Sequence, residues 1–109
     1  MKKVLIVDDD PHAHILIQYD LIQRGDEVFM ASNGEEGLSL FKQEQPEIVI
    51  SDTNMPKMNG PDMVKQILRI NPQVKIITCS EHLRATPPFP ENLPFFQKPL
   101  RFNKIAQLI

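Results

Sequence analysis

The chain has 109 residues, 41% of them apolar and 24% charged, with 12 basic and 14 acidic side chains for a net charge of −2. This is the size of one domain, residues 1–109, with a soluble, globular composition, and its charge balance gives no support to direct nucleic-acid binding. The single cysteine, Cys79, excludes an internal disulfide and a multi-cysteine metal knuckle. The apolar run at the start is cut off by Asp8-Asp9-Asp10, too short for a signal sequence or a bilayer span, so no membrane association and a cytoplasmic location are expected.

Val4 to Val7 is an unbroken apolar, β-branched run, the pattern of a strand covered on both faces. Pro11 follows the aspartates, placed for the first turn of a helix. From Ala13 to Ile22, the residues Ile15, Leu16, Tyr19, Leu21 and Ile22 recur at roughly helical spacing and predict the apolar side of that helix, with Arg24-Gly25 as its stop. Glu27 to Ala31 is a short strand. Ser32 or Asn33 caps a helix from about Glu35 to Gln45, ended by Pro46.

Ile48-Val49-Ile50 is a second buried strand that runs into Ser51-Asp52. A loop from Thr53 to Gly60 follows. Met63, Val64, Ile67, Leu68 and Ile70 mark a further helix, closed near Asn71-Pro72. Val74 to Cys79 is a third buried strand. Glu81 to Pro94 carries Pro87, Pro88, Pro90 and Pro94, which disfavours regular helix over much of it. Phe95-Phe96 opens a last strand, and Leu100 to Ile109 begins a last helix with Phe102, Ile105, Leu108 and Ile109 on one side.

Strands alternating with helices predict a doubly wound α/β fold with a parallel sheet covered on both faces. In such sheets functional groups gather at the carboxyl ends of the strands. Here those ends carry Asp8 and Asp9, Asp52, Ser80 and Lys98. Carboxylates brought together repel one another and raise each other's pKa, and a hard cation such as Mg2+, with its preference for oxygen ligands, resolves that conflict. Lys98 adds a point charge able to pair with carboxylate or phosphate. The set describes a site where a carboxylate accepts a phosphoryl group and metal and lysine hold its charge.

The residues Val4-Leu5-Ile6-Val7-Asp8-Asp9-Asp10, then Asp52-Thr53-Asn54-Met55-Pro56-Lys57-Met58-Asn59-Gly60, then Ser80, then Lys98-Pro99, occur in order over nearly the whole chain. In this pattern the chain resembles the receiver domain of a two-component response regulator. The resemblance implies a five-stranded, flavodoxin-like receiver fold and a phosphoacceptor module of a phosphorelay. Asp52 would take the phosphoryl group from a sensor histidine kinase or a phosphotransfer protein. Mg2+ would be held by Asp9 and Asp52, by Asp8 largely through water, and by the backbone carbonyl of Asn54. Lys98 would contact the phosphoryl group, Ser80 would be the switch hydroxyl, and Phe95 the aromatic residue that turns inward with it. Lys98-Pro99 would be the bond this family usually has in cis. Self-phosphorylation and autodephosphorylation are implied, without turnover of an external substrate. An output domain or effector protein and a phosphorylation-linked dimer are further partners the family allows.

Blander readings stand beside these. Asp8 to Asp10 also suit a helix-capping cluster, the fitting role for Asp10. Thr78 competes with Ser80 as the switch, although spacing along the family pattern favours Ser80. Ser80 also suits a cap and Phe95 a core position. Met55 and Met58 suit loop packing, Cys79 the core, and His82 a loop. His12 and His14 stand two apart, on different helix faces, with no third partner for a metal.

Two departures from the family matter. Glu81 stands where a small residue is usual against the phosphoryl pocket. The region of the family's fourth helix is short and proline-rich, and the fifth helix is truncated. Both favour the alternative, a degenerate receiver acting only as a phosphorylation-independent protein-binding module. A phosphohydrolase of the haloacid dehalogenase type would carry a second Asp two residues after its nucleophile, and this chain has Asn54 there.

Overall fold

The computed structural model describes residues 2–10, 12–81, 89–90 and 92–109. Pro11, His82 and the segment 82–88, where the sequence predicts an irregular fourth-helix region, lie outside the described residues. Five strands, β1 (Lys3–Val7), β2 (Glu27–Ala31), β3 (Ile48–Ser51), β4 (Lys75–Ser80) and β5 (Phe95–Gln97), alternate with helices α1 (Ile15–Gln23), α2 (Gly34–Glu44) and α3 (Gly60–Ile70). A single turn, α4 (Phe102–Ile105), and a 3-10 turn over Ala106–Leu108 close the chain.

The strands pair in parallel in the order β2-β1-β3-β4-β5. This is the doubly wound order that reverses direction beside β1. Alternation along β1 explains the two cores. Leu5 and Val7 face α2 and α3 with Leu38, Phe41, Met63, Val64 and Ile67. Val4 and Ile6 face α1 and α4 with Ile17, Leu21, Leu100 and Ile105. Cys79 is a buried member of the second core. Among the described residues no helix is long and apolar enough to cross a membrane.

Helix ends follow local chemistry. Asn33 caps α2 by accepting the Glu36 N–H at 2.9 Å, and the Glu36 carboxylate takes the Ser32 N–H at 3.0 Å, a reciprocal cap. Asn59 caps α3 through the Asp62 N–H. Asp10 caps the turn before α1 by accepting the His12 N–H at 2.9 Å. The last helix is as short as expected, and α1 holds it. Arg101 donates to both oxygens of Asp20 at 2.8 and 3.0 Å, and the Arg24 guanidinium lies 4.5 Å from the Phe102 ring centroid. The hydrogen bond from Arg101, with help from the Phe102 N–H, holds the Asp20 carboxyl below its usual pKa.

The buried face of α1 corrects the sequence reading. The residues packed inward are Ile17 and Leu21, with His14 one turn before them. Ile15, Leu16, Tyr19 and Ile22 are exposed. The helix is apolar nearly all round, so the spacing of apolar residues alone does not orient it.

Candidate functional site

The carboxyl ends of β1, β3 and β4 and the turn after β5 converge on one cavity of ≈ 210 Å³, lined by Asp9, Asp10, Asp52, Asn54, Ser80, Glu81 and Lys98. Asp8 lies buried beneath it. The sheet itself delivers these groups. The Asp8 N–H bonds to the Ala31 carbonyl at 3.0 Å and the Asp52 N–H to the Val7 carbonyl at 2.9 Å, so both carboxylates leave the sheet where its ladders end.

The loop after Asp52 is clamped in several places. The Thr53 N–H donates to Asp52 Oδ1 at 2.8 Å and the Thr53 hydroxyl to the Cys79 carbonyl at 3.1 Å. The Ser51 hydroxyl donates to the Asp52 carbonyl at 2.8 Å. The Gly60 N–H returns to the Thr53 carbonyl at 2.8 Å. A Cβ on Gly60 would lie 1.9 Å from the Asp52 carbonyl oxygen, so only glycine admits this closure. Gly60, expected to punctuate the loop, is the first residue of α3.

Lys98 sits between the carboxylates. Its Nζ lies 2.6 Å from Asp8 Oδ2 and 3.1 Å from Asp52 Oδ1. The Lys98–Pro99 bond is cis, as the resemblance implied. Burial works to raise the Asp8 carboxyl, but hydrogen bonds from His14, Lys98 and the Asp10 N–H outweigh it and bring the pKa down to about 2. Asp52 is pushed up, first by burial and then by the Asp8 charge, against the Thr53 N–H and Lys98. Burial opposes the charge on Lys98, yet its hydrogen bond to Asp8 and the two carboxylate charges raise its pKa above the ordinary value.

Oxygen atoms of Asp8, Asp9 and Asp52 lie within 4.8 Å of one another. A cation already bridges two of them in the form of the Lys98 ammonium. This donor set of hard oxygens, with Asp9 exposed at the mouth, fits a divalent cation of the Mg2+ type.

The structure therefore brings Asp8, Asp9, Asp52, Asn54, Ser80 and Lys98 together. Ser80 is the last residue of β4 rather than the residue after it. Thr78 is occupied elsewhere, donating to the Pro94 carbonyl at 2.7 Å. Phe95 is half-buried in β5, pairs in register with Thr78, and does not line the cavity. The sequence reading missed His14, which is buried with Nε2 at 2.7 Å from Asp8 Oδ2. The signal that finds it is its place three residues before Ile17 and seven before Leu21, on the inward line of α1.

The chain is similar to known proteins. The response regulator receiver domain family matches residues 4–87. The chain belongs to that family. The receiver is 42% identical over 80 residues to the chemotaxis protein CheY of Thermotoga maritima, a match covering 72% of this chain and 67% of that protein. It is 39% identical over 66 residues, 61% of this chain, to the regulatory protein PhoP of Bacillus subtilis, of which the match spans 28%. Among solved structures, the receiver superposes with a TM-score of 0.82 and 28% identity on response regulator TrrA of Thermotoga maritima in complex with Mg(2+)-BeF, covering 100% of both chains. It also superposes with a TM-score of 0.80 and 26% identity on the CheX-CheY-BeF3-Mg complex of Borrelia burgdorferi, covering 98% of this chain and 85% of that one. Receiver domains are two-component signalling modules with an acidic Mg2+ pocket, not enzymes that turn over an outside substrate.

Proposed function

We propose that residues 1–109 act as a cytoplasmic receiver that accepts a phosphoryl group on Asp52 with Mg2+ in the pocket. The observation that carries this is the Lys98 ammonium bridging Asp8 and Asp52 beneath an oxygen-lined cavity. Asp52 Oδ1 is committed to the Thr53 N–H and Lys98, and Oδ2 is the oxygen left to attack phosphorus. The new bond is Oδ2–P. The bond broken is the donor's N–P bond, whose electron pair returns to the imidazole nitrogen of a phosphohistidine. Lys98 follows the new charge onto the phosphoryl oxygens, and Ser80 on the cavity wall donates its hydroxyl there, with Phe95 following it. Asp8, Asp9, Asp52 and the Asn54 carbonyl would hold the cation, which when bound supplies charge neutralisation for the transferring group.

Incubation with acetyl phosphate and Mg2+ is expected to add one phosphoryl group by intact mass. The adduct should disappear in Asp52→Asn and in chelator. An unmodified wild-type mass would sink the reading and favour the second one, a binding module that works without phosphorylation. Glu81 in the cavity wall is the observation behind that alternative, because its carboxylate repels an incoming phosphoryl group.

The solvent face of α1 supports a protein donor. Ile15, Leu16, Tyr19 and Ile22 are 52%, 47%, 60% and 51% exposed on a helix that starts just after the acidic loop. Large apolar side chains grouped on one exposed face mark a protein interface. We assign that face to the helical surface of a sensor kinase or phosphotransfer protein. The double change Ile15→Glu with Tyr19→Glu is expected to slow phosphotransfer from such a donor by roughly a hundredfold, as loss of central apolar contacts does. Labelling by acetyl phosphate should stay within about twofold. Equal slowing of both donors would place the defect in the fold rather than in docking.

A further inference from the structure

His14 takes no part in the phosphoryl chemistry described above, yet it lies directly against it. It stands one turn ahead of Ile17 on the buried line of α1 and is 1% exposed. Its Nε2 lies 2.7 Å from Asp8 Oδ2, the same oxygen that Lys98 Nζ approaches at 2.6 Å. A carboxylate oxygen paired with an ammonium accepts, so Nε2 is the nitrogen that carries the proton and donates. The helix holds the backbone at this position, and a sulfur packs against the ring. The His14 carbonyl takes the Gln18 N–H at 2.9 Å, and Cys79 Sγ packs 3.8 Å from Nε2. Burial pushes the Cys79 thiol above its ordinary pKa, so this neighbour stays uncharged.

A histidine in such a place is often only a core filler, and one observation speaks against that here. Nδ1 is buried without a hydrogen-bond partner among the described residues. Leucine would fill the same space with no unpaired polar atom, so plain packing does not explain a histidine. The contact with Asp8 does.

Asp8 needs that contact because its other strong partner is divided between two carboxylates. Lys98 is a charge on a flexible four-carbon stem, shared between two carboxylates. When it follows the phosphoryl group, a buried carboxylate loses an ion pair. Asp8 Oδ1 has only the Asp10 N–H at 2.9 Å among the described residues. We propose that His14 is the fixed partner of Asp8, a positioning residue that keeps Oδ2 turned inward and Oδ1 toward the cavity when Lys98 leaves. The inference rests on the receiver reading in one respect, that Lys98 leaves Asp8 when the site is loaded.

The test compares His14→Leu, which has no donor, with His14→Gln, whose amide carries one at similar reach. Calorimetric Mg2+ affinity is expected to fall about tenfold in His14→Leu, the scale of one charge-assisted hydrogen bond. His14→Gln should recover it to within about threefold. In chelator, Lys98→Met should lower the melting temperature more in the His14→Leu background than in the wild type, because the two donors share one oxygen. If His14→Leu does not fold, His14→Asn takes its place, and its shorter amide should fall below His14→Gln in Mg2+ affinity. Unchanged Mg2+ affinity without the donor, or a glutamine no better than leucine or asparagine, overturns the proposal. A wild type that takes up no Mg2+ fails the metal reading instead. The chelator cycle then decides alone, non-additive loss supporting the His14 anchor and additive loss refuting it.

Discussion

Lys98→Met is expected to bind Mg2+ more tightly than the wild type and yet to accept phosphate at least about a hundredfold more slowly. Both effects come from one geometry. The ammonium neutralises Asp8 and Asp52 from 2.6 and 3.1 Å, so a divalent cation must compete with it for the same carboxylates. Without Lys98 that competition ends, and calorimetry should show an affinity gain of roughly tenfold. The transition state, however, loses a donor aimed at the charge that develops on the phosphoryl oxygens, a loss typically worth about 10²–10³ in rate. A variant weakened in both respects would show that Lys98 supports the fold rather than the chemistry.

The same substitution should steepen the fall of stability with rising pH. In the wild type, Asp8 lies below its unfolded value of 3.8 at about 2, so its stabilising contribution is complete above pH 4 and is lost as the pH falls toward 2. Asp52 has the opposite sign. Its folded pKa is raised, so its contribution favours the folded state at low pH and is lost as pH rises through that raised value. Lys98 is raised as well, and its contribution persists below its unfolded value of 10.5 and is lost only at strongly alkaline pH. Removing Lys98 leaves two buried carboxylates facing each other, which share one proton while the unfolded chain binds none above pH 5. Stability of Lys98→Met should then fall with rising pH by about 1.4 kcal/mol per unit until the shared proton is lost. Breaking such a pair costs about 3–5 kcal/mol near neutrality. Urea melts across pH 4–8 in chelator measure the slope, and a flat profile would mean that the carboxylates relax apart.

Much of this site was legible before any coordinates because single residues stand at strand ends. Asp8 after Val7 and Asp52 after Ser51 follow clear apolar runs, Lys98 follows the short Phe95-Phe96 strand with Gln97, and the doubly wound topology does the rest. Boundaries moved by a residue or two where propensity is indifferent. Lys75 rather than Val74 opens β4, and Gly60, expected to end the loop, opens α3, because its cap Asn59 and Pro61 set the first turn. The inward face of α1 was not legible. Apolar residues occupy nearly every angle of that helix, and the residue that marks its buried line, His14, is polar. A polar residue buried for the sake of a charged partner 2.7 Å away belongs to tertiary structure, and hydrophobic periodicity is blind to it.

Gly60→Ala is expected to be the most damaging single change at the site that leaves every polar group in place. A Cβ there would meet the Asp52 carbonyl oxygen at 1.9 Å and the Asp52 carbonyl carbon at 3.0 Å, both of them backbone atoms that cannot rotate away. Relief requires moving either the start of α3 or Asp52 itself, whose N–H is tied to the Val7 carbonyl at 2.9 Å and whose Oδ1 is tied to Thr53 at 2.8 Å. Overpacking of this kind typically costs about 1–3 kcal/mol, and a fixed backbone neighbour puts this case at the upper end. Gly34→Ala should follow, because its Cβ would lie 2.2 Å from the Met58 carbonyl oxygen further along the same loop. Gly25→Ala is the control. It meets nothing within 4 Å, and its cost is only that of a left-handed φ of +90, roughly 1 kcal/mol. Urea midpoints should rank the three variants in that order. Because the atom displaced in Gly60→Ala belongs to the proposed phosphoacceptor Asp52, its acetyl phosphate labelling should also drop under conditions where the variant is still folded, whereas Gly25→Ala should label like the wild type. Equal stability losses at Gly60 and Gly25 would mean that α3 shifts freely, and that the loop does not hold Asp52 in place.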